Sequence, residues 1–255
     1  THKNEFNGRS RKQVVLFVDI FTNYHEPDAG KAACRILDSL NYDIIIPGIF
    51  PTGRTRISKG LLNEAATICS KNIERLKPYA NQGIPIIGLE PSEILTIRDE
   101  YTDLCSDEEF EIAAGIAKNT YLWEEFIATE LAAKTDEKTD TSDGKTVYLH
   151  GHCHTKALAG NDPLIQAFRL TGFDPVLLQT GCCGMAGSFG YEKDKYDVSM
   201  QVGEQVLFPS LRSLPEDATV CAPGFSCRHQ INDGVQRRAL HPAVIMEKAF
   251  AAETA

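Results

Sequence analysis

Val14-Val15-Leu16-Phe17-Val18 is a short run of β-branched and aromatic residues, and the alternation of helices and strands after it decides the fold. Such a run, unbroken by polar residues, reads as a strand buried on both faces. Pro27 and Asp28 then lead into Ala29 to Leu40, whose apolar residues recur at helical spacing. Ile44-Ile45-Ile46 is a second strand, followed by a loop from Pro47 to Thr55, and Lys59 to Leu76 reads as a long helix. Ile84-Pro85-Ile86-Ile87-Gly88 is a third strand. Strands alternating with helices predict an α/β unit around a parallel sheet. Glu108 to Lys134 has apolar residues near helical periods and reads as one long helix, or two with a bend near Gly115.

The polar stretch Thr135 to Gly144 contains no apolar residue and reads as a connector. Beyond it the pattern repeats. Val147-Tyr148-Leu149-His150 is a strand and Asn161 to Thr171 a helix. Pro175 to Leu178 is a strand that ends in a glycine-rich loop, Gly181 to Gly190. Tyr196 to Leu211 reads as a helix, Ala218 to Ala222 as a strand, and Pro242 to Ala252 as a closing helix. Val15 aligns with Val147 at an offset of 132, Gly53 with Gly184 at 131, and Ser92 with Ser226 at 134. The near-constant offset predicts two tandem, duplicated, doubly wound parallel-sheet units related by pseudo-symmetry. The expected division is 1–134 for the first unit, 135–146 for the connector and 147–255 for the second unit. The loops at the carboxyl ends of the strands are where such sheets build their sites.

With 255 residues, the chain is long enough for one large domain or two small ones. Hydrophobic residues make up 42% and charged residues 24%, which excludes a disordered or low-complexity protein. No apolar run approaches the ~18 residues of a membrane span. A net charge of −9 argues against a nucleic-acid partner, because phosphate binding needs a basic footprint. The chain opens Thr1-His2-Lys3-Asn4 with neither a methionine nor a basic region followed by an apolar one. A piece of a longer chain without a signal peptide is therefore expected.

Of the eight cysteines, Cys153, Cys182, Cys183, Cys221 and Cys227 crowd into 75 positions of the second half. Cys34 and Cys69 fall on helical apolar positions and read as core. Cys105, near a helix start, reads as inert, and Cys221 as the interior of a strand. Cys153, Cys182, Cys183 and Cys227 lie at loop positions after strands, and such strand ends converge in space. Their counterparts in the first half are Phe21, Thr52 and Glu93 with the flanking Pro51, so the thiols are no requirement of the fold. A cluster of thiolates without a secretory context suits zinc or an iron–sulfur cluster. The adjacent pair Cys182-Cys183 cannot easily bind one small tetrahedral ion but can bind neighbouring irons. Gly181, Gly184 and Gly187 let backbone N–H groups approach sulfur. The helix after the loop would favour negative charge at its N-terminus, and His152, His154, Arg228 and His229 flank the thiols. A disulfide or redox pair at Cys182-Cys183 is the rival reading. A phosphate cradle is a weaker one, because neither a GxGxxG spacing nor a P-loop lysine is present.

Three segments carry a family resemblance: His152-Cys153-His154, the stretch Gly181-Cys182-Cys183-Gly184 through Glu192, and Ala222-Pro223-Gly224-Phe225-Ser226-Cys227-Arg228-His229-Gln230-Ile231. They resemble the cysteine-rich CCG domain. That domain occurs in the B subunit of heterodisulfide reductase, in iron–sulfur subunits of glycolate oxidase and anaerobic glycerol-3-phosphate dehydrogenase, and at the end of FAD-linked oxidases of the D-lactate dehydrogenase type. Residues 21–27, 57–62 and 88–101 are similar to the first repeat of those proteins. The resemblance implies a four-iron, four-sulfide cluster on Cys153, Cys182, Cys183 and Cys227. Gly224 stands where the fullest members carry a fifth cysteine, and the first unit is expected to hold no cluster. The resemblance also implies an FAD-binding oxidase domain or subunit as electron donor, a ferredoxin-like iron–sulfur segment, and a quinone or cytochrome of the membrane as the eventual acceptor. Neither the flavin domain nor the ferredoxin-like segment is in this chain, so no substrate turnover is expected of it alone. A cytoplasmic location, peripheral to the inner face of the membrane, follows from the same resemblance. A structural zinc module using the same cysteines remains the alternative.

Overall fold

The computed structural model describes residues 11–134 and 145–252. In the first part the chain runs β1 (Lys12–Phe17), α1 (Ile20–Tyr24), α2 (Pro27–Ser39), β2 (Tyr42–Ile45), α3 (Arg54–Ser58), α4 (Leu62–Ala80), β3 (Ile86–Gly88), α5 (Pro91–Leu95), α6 (Tyr101–Leu104), α7 (Phe110–Lys118), β4 (Thr120–Leu122) and α8 (Trp123–Ala132). In the second it runs β5 (Thr146–Leu149), α9 (Cys153–Leu158), α10 (Asp162–Leu170), β6 (Asp174–Leu177), α11 (Tyr196–Gln205), α12 (Leu207–Arg212), β7 (Thr219–Cys221), α13 (Phe225–Val235), β8 (Ala239–Leu240) and α14 (Pro242–Ala252). Two four-stranded sheets result, ordered β2-β1-β3-β4 and β6-β5-β7-β8, and every pairing is parallel.

The central strands explain the order. Val14, Val15, Leu16 and Phe17 are all buried, so β1 can sit only inside a sheet covered on both faces. Val15 pairs with Ile45 on one side and Ile86 on the other, and Leu149 of β5 pairs with Leu177 and Cys221. Helix α2 starts on Pro27, whose ring suits a first turn, and turns Ala29, Ala32, Ala33, Ile36 and Leu37 inward. Helix α2 packs on α14, and α8 on α10. One hydrophobic cluster therefore runs through both sheets' helices and includes Leu16, Ile36, Trp123, Leu149, Phe168 and Met246.

Several expectations need correction. The stretch from Glu108 to Lys134 is not one helix. Its period is interrupted by β4, where Ile86, Ile87 and Gly88 offer an unfilled sheet edge to Thr120, Tyr121 and Leu122. Gly115 lies inside α7 and marks no bend. The helix expected from Tyr196 to Leu211 breaks at Val206, whose φ of −145° is not helical. Each sheet has a fourth strand where three were expected. Cys105 is the C-terminal cap residue of α6, a short turn before α7 begins at Phe110. Cys153 opens α9 and Cys227 lies in the first turn of α13, so neither is a loop residue. The connector reading of Thr135–Gly144 lies outside the described residues, and Thr146 already belongs to β5. No described helix is long and apolar enough to cross a membrane.

The shared cluster makes a stability prediction. Phe168 is fully buried within it. Truncation to alanine should cost about 3–5 kcal/mol, measured by denaturant unfolding. Trp123 fluorescence and far-ultraviolet circular dichroism should report one coincident transition, because the Trp123 side chain belongs to the same cluster.

Candidate metal centre

The site grows from the carboxyl ends of β5, β6 and β7. Beyond β5, the His150 N–H still donates to the Cys221 carbonyl at 2.9 Å, His152 is the N-terminal cap residue of α9, and Cys153 is its first residue. Beyond β6 comes Gly181-Cys182-Cys183-Gly184. Beyond β7, Ala222-Pro223-Gly224 leads into α13, whose third residue is Cys227. Strands β5 and β7 are neighbours whose following segments leave in different directions, which opens the crevice typical of a switch in strand order.

The four thiols of Cys153, Cys182, Cys183 and Cys227 meet there on the lining of one cleft. Their protons are unequally shared. Hydrogen bonds from Cys153 and Cys183 hold the Cys182 thiol well below its ordinary range, and a bond from Cys183 does the same for Cys227. As the donors in those bonds, Cys153 and Cys183 are pushed up. Cys183 and Cys227 are buried, Cys182 is half-buried and Cys153 is exposed. By contrast, Cys221 is buried in β7 with its thiol pushed up by burial, and Cys34 and Cys69 pack in the hydrophobic clusters.

The loop glycines differ in necessity. Gly184 has φ +100°, and a Cβ there would meet the Ser199 carbonyl oxygen at 2.0 Å, so only glycine lets the loop lie this close. Its N–H donates to Cys182 Sγ at 3.3 Å. Gly187, at φ +70°, accepts a bond from Ser226 Oγ, while Gly181 has open space around it. The helix after this loop is not where a dipole could act on the thiols, since a turn at Phe189–Tyr191 intervenes before α11. Helices α9 and α13 present their first turns instead.

Gly224 is equally constrained. A Cβ would lie 2.4 Å from His152 Cδ2, so the imidazole fills the space of a side chain at that position. A cap residue without a side chain leaves the first N–H groups of α13 without a partner of its own. Glu90, from the segment after β3, accepts from the Phe225 N–H at 2.7 Å and from Ser92 Oγ at 2.7 Å. Arg228, the residue after Cys227, is also committed to the first unit. Its Nε donates to Glu26 at 2.7 Å, and Nη1 donates to the Ala222 and Pro223 carbonyls. His229 is exposed and packs on Phe225 with ring centroids 4.1 Å apart. Neither Arg228 nor His229 lines the cleft beside the thiols. That cleft, of about 410 Å³, lies between the two units and is bordered by Phe21, Glu93, His152, Cys153, His154 and Tyr191.

In the first unit the matching positions carry different chemistry. Glu93 is the third residue of α5 as Cys227 is of α13, and it is held by Thr52 Oγ1. Gly53 keeps the left-handed turn, at φ +98°. Burial pushes the Glu93 carboxyl up to about 7. Glu90 and Glu124 are also buried and likewise pushed up to about 7.

His150 escapes a reading of the sequence alone. It is fully buried, its Nδ1 lies 2.7 Å from Thr180 Oγ1, and its ring hydrogen-bonds the Cys227 thiol, helping to hold that thiol well below its ordinary range. The signal is present: at the offset that aligns Val15 with Val147, His150 falls on Val18, the same kind of asymmetry that singles out the thiols. Nδ1 atoms of His152 and His154 are buried without partners among the described residues. Contiguous thiols, a required glycine whose N–H reaches sulfur, and unpartnered imidazole nitrogens fit a thiolate-bound metal centre.

The fold and site thus define a cysteine-rich α/β module of two parallel-sheet units, with a thiol-lined cleft whose residues fit such a centre. Among curated proteins, the chain is 30% identical over 235 residues to D-2-hydroxyglutarate dehydrogenase of Pantoea ananatis, a match covering 91% of this chain and 22% of that protein. It is 25% identical over 256 residues to the C subunit of anaerobic glycerol-3-phosphate dehydrogenase of Escherichia coli, covering 94% of this chain and 60% of that subunit. It is 24% identical over 229 residues to lactate utilization protein A of Bacillus licheniformis, covering 87% and 90%. The chain therefore spans about a fifth of the length of the D-2-hydroxyglutarate dehydrogenases it matches. No family model matches it.

The buried carboxyls predict a pH dependence. Glu124 is raised from 4.5 to about 7 by burial, and its Oε1 has no partner among the described residues. The folded state therefore holds a proton that the unfolded state has released between those values. Stability should fall as pH rises through that window. In Glu124→Gln that share of the slope should vanish, which urea unfolding at pH 5 and pH 8 will show.

Proposed function

We propose that this chain is the iron–sulfur electron-transfer module of a larger FAD-linked dehydrogenase, with Cys153, Cys182, Cys183 and Cys227 holding a four-iron, four-sulfide cluster in the second unit. The observation that carries this reading is the convergence of four thiols from three separate strand ends on one cleft. The substrate we infer for the larger enzyme is a 2-hydroxy acid of the lactate, glycolate or 2-hydroxyglutarate type. Two of the similar proteins are named for such acids, and the third for glycerol 3-phosphate. We further infer that the two units arose by duplication. The shared strand order and the reciprocal packing of α2 on α14 and α10 on α8 support it.

A bound cluster would supply one-electron uptake and release. The protein's part is to set its environment. Buried Cys183 and Cys227 provide a dry floor, where each charge is felt more strongly than in water. The Gly184 N–H draws electron density from the Cys182 sulfur, which favours the reduced state. Exposed Cys153, on the cleft, gives the shortest covalent route to the outside. The flavin donor, the ferredoxin-like segment and a membrane quinone or cytochrome acceptor would lie on other domains or partners.

Iron, sulfide and zinc content after oxygen-free reconstitution tests the proposal. About four irons and four sulfides per chain, with a brown colour bleached by dithionite, are expected. Cys182→Ser and Cys183→Ser should lose the cluster, and Cys34→Ala and Cys69→Ala should keep it. One zinc without colour would instead make the module structural, and thiol-dependent activity without metal would make Cys182-Cys183 a redox pair.

A further inference from the structure

The thiols do not exhaust the donors at this centre. A ligating nitrogen of His150, Cys183 Sγ and Cys227 Sγ lie within 4.8 Å of one another, and all three residues are buried. His150 Nδ1 is taken up by Thr180 Oγ1, and Thr180 is itself held, its carbonyl accepting from Lys156 Nζ at 2.8 Å. That leaves Nε2, buried, with the Cys227 and Cys183 thiols as its neighbours. A buried imidazole nitrogen that meets only thiols, which are weak hydrogen-bonding groups, is poorly satisfied and calls for a stronger partner. An outer hydrogen bond at Nδ1 that fixes the ring and frees Nε2 is the usual support of a metal-ligating histidine.

Two further observations agree. The first unit has Val18, Thr52 and Glu93 where the second has His150, Cys183 and Cys227, so the three donors are present together or absent together. At position 224 there is no side chain to donate, and the space is filled by His152. The donor set therefore has a nitrogen available at the buried floor and no thiol at 224.

Building on the iron–sulfur reading above, we propose that His150 binds the same metal centre through Nε2, beside Cys183 and Cys227. Neutral imidazole brings no negative charge, whereas each thiolate brings one. The centre thereby carries one negative charge fewer than it would with a further thiolate in the place of His150, and is easier to reduce than that centre.

The experiment is pulsed electron paramagnetic resonance on the full chain, reconstituted with ferrous iron and sulfide and reduced with dithionite. A strong ¹⁴N coupling from a directly bound nitrogen is expected in the unsubstituted protein and in His152→Ala and His154→Ala. It should be lost in His150→Ala and restored by free imidazole. His150→Cys should keep the iron and lower the reduction potential. His150→Gln, checked by circular dichroism, serves if His150→Ala does not fold. Four irons with the same ¹⁴N spectrum and potential in every His150 variant would overturn the proposal and leave the iron–sulfur reading standing. If the chain takes zinc alone, X-ray absorption decides separately. A nitrogen in the zinc shell that His150→Ala removes would sustain the ligand while the iron–sulfur reading fails, and an all-sulfur shell would overturn both.

Discussion

The N–H of Phe225 donates to the carboxylate of Glu90, and the position of Cys227 depends on it. Helix α13 begins at Gly224, which has no capping side chain because the His152 ring occupies that space. The cap is therefore supplied across the boundary between the units. Glu26 adds a second tie one residue beyond Cys227, through Arg228. Both carboxylates belong to the unit that has no thiols at the matching positions. That unit's contribution to the proposed centre is thus mechanical and electrostatic: it holds the first turn of α13 against the end of β7 while the second unit provides the donors. Burial is tolerated because Glu90 accepts three hydrogen bonds, from Phe225 and Ser92.

Much of the fold is legible in the sequence where a buried strand has a continuous apolar run. Val14 to Phe17, Ile86-Ile87 and Val147 to Leu149 are such runs, and the pattern gives α14 its observed ends. The elements that escape are too short to show a period. Three residues of β4 and two of β8 exist because a neighbouring strand offers an open edge, not because Thr120–Leu122 or Ala239–Leu240 prefer extension. Residues 108–134 keep a helical period across that strand because helices stand on both sides of it. Val206 breaks a helix three residues before Pro209, whose ring fits the first turn of a new helix but not the interior of a continuous one.

The thiols are legible for a different reason. They sit where a glycine-rich loop and two strand ends must meet, and the first unit lacks them there. The helical setting of Cys153 and Cys227 is not legible, because α9 has only six residues and α13 opens on a glycine. Glu90 and Glu26 are invisible as site residues, since their partners lie 135 and 202 positions away. His150 is hidden by its more conspicuous neighbours: His152 and His154 flank a cysteine, while His150 ends a strand.

Those separations also order events in time. A chain made from its N-terminus exposes Glu26 and Glu90 long before Phe225 and Arg228 exist. Contacts so remote in sequence close late, because the loop entropy comes first. Cys153, Cys182 and Cys183 thus precede Cys227 in synthesis, and the helix that carries Cys227 is held by the most remote of these contacts. The final shape of the cysteine pocket therefore depends on residues of both units. Any group that the pocket takes would meet its complete donor set only once the two units have closed on each other.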